Sequence, residues 1–556
     1  MEFFRGLSES QSILSTSTLA KAVLTALVGL VSQDILNRAR LYLSVKNLPG
    51  PPHNGSILGN SKQVMADERA VVANQWFEKY GKVFGVWALF GSREIFLADL
   101  KGLSHVLKHD SEIYQKPDHV RYLLGRSAGH GLLVAEGHDH KKQRKVMTPA
   151  FGPAQIRGLT EIFIEKSMAL RDVWATHIDQ DSSAAQIDVL SWLGRMTLDV
   201  IGQAGFNYQF DALSGKQNEL NEAFSHIFES GNFLSPTILL KLFFPVLRSI
   251  PEHNAYFRHA QATSSRIGRE LFQQSQKAAQ SEQPHDRDLL SLLIRSNMST
   301  DIPTNQRMTD DDVLAREYSP ISMFPALTGS SSSEVPTFLA AGHETTSTST
   351  TWALYLLATH PEIQSKLREE LLPIPTDSPT MEDLNALPYL DGVVRETLRL
   401  LAPVPATLGV AMKDDVIPLD EPYVDIYGKK HHELKVKKGQ EISIQILALN
   451  KDRSLWGEDA EEFKPERWQS LPEAVSSIPG VWGNLMTFLG GPRSCIGWRF
   501  SLVEMRALLF TLIRAYEFEL LVPKEDVLIK RAFPVNRPVV RGSKGNELPM
   551  IIRPVA

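Results

Sequence analysis

One cysteine, Cys495, stands in a chain of 556 residues. A single thiol rules out intrachain disulfides, four-cysteine zinc sites, paired-cysteine redox motifs and cysteine-ligated iron–sulfur clusters. Burial and hydrogen bonding must therefore hold the fold together, and so few thiols suit a reducing compartment. The chain is 43% hydrophobic and 22% charged, a globular composition that argues against disorder, collagen and a polytopic membrane protein. Lys and Arg number 59 against 64 Asp and Glu, for a net charge of −5. No basic excess is available to neutralise a phosphate backbone, so nucleic acid is not an expected partner.

The N-terminus departs from this texture. Ser12 to Val31 carries a single charge, Lys21, and its core from Ala22 reads AVLTALVGLV. That approaches the roughly 20 apolar residues a membrane span requires, although Ser and Thr dilute it. Arg38, Arg40 and Lys46 follow and would hold the rest of the chain on the cytoplasmic side. Residues 1–47 are expected to form a membrane anchor with a basic flank. A signal peptide without a clear cleavage site and a surface-lying amphipathic helix are the alternatives. Leu48-Pro49-Gly50-Pro51-Pro52 is a stiff boundary, because proline fixes φ and lacks a donor. A single large catalytic body is expected over 48–556.

Within that body, Lys82 to Asp99 reads as a hairpin turning at Phe90-Gly91-Ser92. Helical patterns follow, among them Leu159–His177, Pro361–Leu372 and Leu390–Leu401. Strand and turn text returns between Val404 and Asn450 and again after Tyr516. The fold class is mainly α with a small β portion (α+β). Residues 317–333 (EYSPISMFPALTGSSSS) interrupt a helical stretch with prolines and a serine run, and are expected to be a disordered insertion.

Cys495 lies in Phe488-Leu489-Gly490-Gly491-Pro492-Arg493-Ser494-Cys495-Ile496-Gly497, just before a helical run from Trp498. A lone cysteine is ordinarily a small buried hydrophobe. Here glycines allow close backbone approach, a helix N-terminus favours a thiolate, and Arg493 can pair with an anionic ligand. The pattern Phe-x-x-Gly-x-Arg-x-Cys-x-Gly closely resembles the haem-binding loop of the cytochrome P450 family, whose cysteine thiolate is the proximal iron ligand. Three further segments resemble that family in the right order. Glu396-Thr397-Leu398-Arg399 and Phe463-Lys464-Pro465-Glu466-Arg467-Trp468 match its buried Glu/Arg/Arg triad, which makes Glu396, Arg399 and Arg467 structural residues. Ala341-Gly342-His343-Glu344-Thr345-Thr346 matches its acid–alcohol pair, here Glu344 and Thr345. The metalloprotease motif His-Glu-x-x-His fails at this point, because Ser347 occupies the second histidine position. Gly342 and Thr345 are expected to loosen the helix and admit water or a diatomic ligand.

The resemblance implies haem b (iron protoporphyrin IX) with Cys495 on the iron. Arg493, Phe488, Gly491 and Gly497 would line the cofactor, and Arg144 and His140 would contact its propionates; His140 stands where many members have tryptophan. Gly409 departs from the family at a position where relatives often carry a propionate-binding arginine. The implied activity is a haem-thiolate monooxygenase that places one oxygen atom of O2 into a lipophilic substrate, such as a terpenoid or another fungal secondary metabolite. No Gly-x-Gly-x-x-Gly fingerprint or cluster cysteines are present, so electrons must come from outside, from an NADPH–cytochrome P450 reductase docking on Lys141, Lys142 and Lys145. Tyr114–Leu133, Phe338–Ala341 and Val404–Leu408 are expected to line the pocket. An endoplasmic-reticulum membrane location with the body facing the cytoplasm follows from the anchor. A reductase-independent isomerase or dehydratase, or a haem sensor without turnover, are the rival functions.

Overall fold

The computed structural model describes residues 36–66, 70–129, 131–178, 183–215, 235–243, 245–249, 255–280, 288–298, 334–532 and 535–555, with isolated positions 25, 29, 32, 33 and 219. The expected anchor run Ser12–Val31 and the insertion 317–333 lie outside the described residues, apart from positions 25 and 29. Among the described residues no helix is long and apolar enough to cross a membrane.

The hairpin forms where its alternating apolar runs place it. β1 (Val83–Trp87) and β2 (Arg93–Leu97) pair antiparallel across a short turn at Leu89–Gly91. Asp99 then caps α1 (Leu100–Lys108) by accepting from the Gly102 N–H, satisfying one of the orphan donors of a helix start. β3 (Tyr114–Gln115), α2 (Asp118–Ala128), the basic α3 (Gly137–Met147) and α4 (Pro153–Ala175) follow. α4 begins at Pro153, six residues before the expected Leu159, since proline suits the first turn. β4 (Ala185–Asp188) and α5 (Val189–Phe206) lead on to the central helix α6 (Glu334–Thr359), then α7 (Pro361–Leu371) and α8 (Pro388–Leu400).

The later β portion comprises β5 (Thr407–Ala411), β6 (Asp415–Val424), β7 (Lys430–Val436) and β8 (Glu441–Ile444). After α9 (Trp498–Ala515) come β9 (Tyr516–Leu520), β10 (Val527–Ala532), β11 (Val535–Val540) and β12 (Pro549–Pro554). The strands form small separate sheets rather than one layer. The largest has the order β1-β2-β8-β5-β3, with β2 and β8 parallel and the other pairs antiparallel. β10 and β11 form a hairpin of their own, and β4-β12-β9 a third sheet.

The core sits on the helices. α6 packs on α5 and α9, and its Leu339, Ala353, Leu354 and Leu357 are almost wholly buried. From Thr346 to Thr351 the hydroxyl run is buried too. Three of those side chains are satisfied locally: Ser349, Thr350 and Thr351 donate to the carbonyls of Thr345, Thr346 and Ser347 at 2.8, 2.9 and 2.8 Å. That back-bonding lets weak helix formers occupy a buried helix.

Candidate functional site

Cys495 sits on a loop whose path depends on two glycines. A Cβ on Gly490 would stand 1.9 Å from the Pro479 carbonyl oxygen. On Gly491, where φ is +70°, it would stand 2.2 Å from that of Leu107. No other residue allows both contacts. The Cys495 N–H donates to the Phe488 carbonyl at 2.9 Å, closing the loop, and the Phe488 ring meets Trp482 edge-on at 5.7 Å. Gly497 caps α9 beneath the sulphur.

The Cys495 side chain is accessible, yet the sulphur is surrounded by protein. A sulphur on the wall of an interior space meets both conditions. Burial pushes its thiol pKa up, against the Gly497 N–H and the Arg144 guanidinium, which pull it down.

On α6, Ala341 is exposed and Thr345 half-exposed, although the residues around them on that helix are mostly buried. Four apart, they share one helical face. Thr345 Oγ1 donates to the Ala341 carbonyl at 2.8 Å. The helix stays continuous through Gly342. Gly342 serves packing instead: a Cβ there would come within 2.9 Å of Ile201 Cδ1 on α5. Glu344 is buried and paired with Arg537 of β11, while its other oxygen lies 3.4 Å from His343 Nδ1.

Beside Cys495 lies a charged cluster. Arg144 on α3 donates to the Ser494 carbonyl and, at 3.4 Å, to Ser494 Oγ. Arg493 pairs with Glu136 and donates to the Ala135 and Asp110 carbonyls at 3.1 and 3.3 Å. Lys116 and Arg121 interact with the same group. Burial, with Arg493 next to it, pushes the Lys116 amine down to about 8; burial pushes the Asp110 carboxyl up to about 6. His140 is buried on the inward face of α3, and its Nδ1 has no hydrogen-bond partner among the described residues. Burial first, then Arg493, Lys116 and Arg144, push its imidazole down to about 3, so it is neutral near pH 7.

These features fit a haem. Lys116, Arg121, Arg144 and Arg493 outnumber the acids Asp110 and Glu136, a surplus that two propionates would balance. The unsatisfied His140 Nδ1 offers such a group a further polar contact. Gly409 on β5 carries no cation; its missing Cβ points toward Tyr114 at 3.5 Å. Tyr114 and Gln115 pair with Ala411 and Val410, so the chain passes Gly409 with Lys116 immediately after the pairing ends.

The triad residues come together. Arg399 grips Glu396 with two bonds, 2.7 and 2.9 Å, and Arg467 Nε reaches the same carboxylate at 3.2 Å. Trp468 Nε1 adds a fourth contact at 3.0 Å. Arg399 also donates to the Asn450 carbonyl at 3.0 Å, and the Asn450 side chain holds the Met486 N–H and Thr487 Oγ1 at 3.1 and 2.8 Å. The network thus ends next to Phe488 and supports the cysteine loop. On α3, Lys141 faces outward and pairs with Glu112 at 2.6 Å.

Sequence reasoning missed Asp110, Glu136, His343 and Arg537 as site groups, and reached Lys116 and Arg121 only as part of the 114–133 region. None stands at a diagnostic spacing; each arrives by tertiary folding.

A fold of this kind with a cysteine on such a loop matches a known family. The family model "Cytochrome P450" matches residues 49–318 and 330–548, leaving out 319–329. Similar proteins include cytochrome P450 monooxygenase 205 of Postia placenta, 50% identical over 92% of this chain and 93% of that protein. Cytochrome P450 monooxygenase 128 of the same fungus is 48% identical, covering 92% of each. Cytochrome P450 monooxygenase claW of Ampulloclitocybe clavipes is 32% identical over 96% and 98%. The chain belongs to the cytochrome P450 family. It is a monooxygenase of that family, whose cofactor is haem.

Proposed function

We propose that this chain inserts one oxygen atom from O2 into a lipophilic substrate, with Cys495 as the residue that would ligate the haem iron and electrons supplied by an NADPH–cytochrome P450 reductase. The observation that carries the reading is the accessible Cys495 sulphur inside the protein body, on a loop that only glycines permit. When bound, haem supplies the reduction of dioxygen and oxygen transfer to a C–H bond. The chain's residues supply position and protons. Arg144, Arg493 and His140 would hold the propionates, and Phe488, Gly491 and Gly497 would shape the loop around the Cys495 sulphur. Thr345 holds water at the accessible face of α6, and Glu344 is the acid that renews its proton. Glu396, Arg399 and Arg467 hold the loop in register. Lys141, Lys142 and Lys145 form the docking surface for the reductase.

The apolar text of Phe338–Ala341 and Val404–Leu408 supports a lipophilic substrate of the terpenoid, sterol or fatty-acid kind. The run Ser12–Val31 supports an endoplasmic-reticulum anchor with the body in the cytoplasm.

The test uses the full-length protein in microsomes. Reduced and exposed to carbon monoxide, it should give the red-shifted Soret band of a thiolate haem, lost in Cys495→Ser. With NADPH, reductase and isotopically heavy dioxygen, a panel of lipophilic metabolites should yield a product carrying one heavy oxygen. Turnover without reductase would instead favour an isomerase. A nitrogen or oxygen ligand to the iron in place of the Cys495 sulphur would overturn the assignment.

A further inference from the structure

Asn54 is followed by glycine, which is true of no other asparagine in the chain. With no Cβ beside it, the Gly55 nitrogen is open to close approach by the preceding side chain. His53, Asn54 and Gly55 are all exposed, so water reaches them. They lie just beyond Pro51-Pro52, where the chain leaves its stiff boundary and enters the body.

The turn holds its polar atoms in fixed roles. The Gly55 N–H donates to His53 Nδ1 at 3.0 Å. The Ser56 N–H donates to Asn54 Oδ1, also at 3.0 Å. Gly55 has φ of +75°, the left-handed turn that lets its two neighbours fold back in this way. The His53 ring is not loose: it meets Trp87 edge-on at 5.2 Å. Asn60 fastens the far end of the turn, its N–H donating to the Trp87 carbonyl at 2.7 Å and its Nδ2 to the Pro52 carbonyl at 3.3 Å. A base therefore sits on the proton of a nitrogen nucleophile, and a donor sits on the carbonyl oxygen next to it. Those are the two aids that attack on an amide needs.

We propose that Asn54 is a self-modifying position, at which the Gly55 nitrogen closes on the Asn54 side chain and converts it to an acid. The Gly55 N–Cγ bond forms as His53 Nδ1 takes the Gly55 proton, while Ser56 N–H holds the charge that builds on Oδ1. The Cγ–Nδ2 bond then breaks, the proton passes from His53 to the departing nitrogen, and ammonia leaves. One water molecule opens the resulting succinimide to an aspartyl or isoaspartyl residue. No oxidant or reductant is required, and the haem takes no part. Asn54 Nδ2 donates to the Gly59 carbonyl at 2.7 Å, and the product carboxylate has no N–H with which to replace that bond. The turn that joins the N-terminal segment to the body thus gains a negative charge and loses a contact.

The test keeps purified full-length holoprotein at neutral pH in heavy-oxygen water and maps its peptides by mass spectrometry. Asn54 should convert to the acid ahead of every other asparagine and carry one heavy oxygen. His53→Phe, which keeps a ring against Trp87, and His53→Ala should each slow the folded protein about tenfold, short of the hundredfold or more that a tuned enzyme base supplies. In urea-unfolded chain, where the turn is gone, the same substitutions should leave the rate unchanged. No conversion at Asn54, an undiminished rate in the folded His53 variants, or an equal fall in the unfolded ones would overturn the proposal.

Discussion

At the residue scale, buried charge decides which side chains tolerate change. Glu396 and Arg399 are completely buried, and their salt bridge is backed by three backbone carbonyls on Arg399 and the Trp468 indole. Removing one partner leaves an ion without compensation, which costs about 3–5 kcal/mol. Arg399→Leu should lower the melting temperature by many degrees and release haem on dilution, because the link through Asn450 to Met486 is lost with it. A melting point within a degree or two of native would show that the network is not structural. Glu94 and Glu441 make a different case. Ile95 pairs with Ile442 across parallel β2 and β8, which puts the two carboxyls side by side. Burial, then Glu441, pushes Glu94 up to about 8, while His119 lies 3.6 Å from Glu441. Folded protein therefore holds a proton here that the unfolded chain gives up above its ordinary value of 4.5, so this site's contribution to stability falls as pH rises toward 8. Glu94→Gln should flatten the melting temperature between pH 5 and 8; an unaltered slope would count against the shared proton.

At the element scale, the cysteine loop and α6 show two different uses of glycine. Gly491 combines φ of +70° with backbone 2.2 Å from where a Cβ would sit, so the loop or Leu107 must move if it is replaced. Gly491→Ala should keep native circular dichroism in the helical region yet lose most of the thiolate Soret band; full haem retention would show that the loop has slack. Gly342 faces only the flexible tip of Ile201, so its replacement asks for a side-chain adjustment rather than a backbone one. The helix start at Pro361 was legible because proline is cheap in a first turn and costly inside one, whereas the helix read from Leu390 begins two residues earlier, at Pro388 itself. The start of α4 was read six residues late, because the polar text from Pro153 to Gly158 becomes helical only by adjoining a buried face that begins at Ile156.

At the scale of the whole molecule, the outward face of α3 and the segment 319–329, which the family model leaves out, each give a test. Reversing Lys141, Lys142 and Lys145 to Glu should slow reduction by reductase about tenfold or more and leave peroxide-driven turnover unchanged, with the difference shrinking at high salt. Equal loss of both activities would remove α3 as the docking surface. Excising 319–329, which the family model skips, should leave the thiolate Soret band and the melting temperature unchanged; a drop in either would make the segment part of the folded body.

The sequence by itself determined the family, and it singled out Cys495, Glu396, Arg399, Arg467, Glu344 and Thr345 as candidates, because their motifs are written at spacings set by a helix turn or a tight loop. Only the tertiary structure decided what surrounds them. Arg537 meets Glu344, and Lys116 and Glu136 meet Arg493. The reason is physical: short-range geometry is written in neighbouring residues, whereas desolvation and ion pairing depend on which distant segments are folded against them.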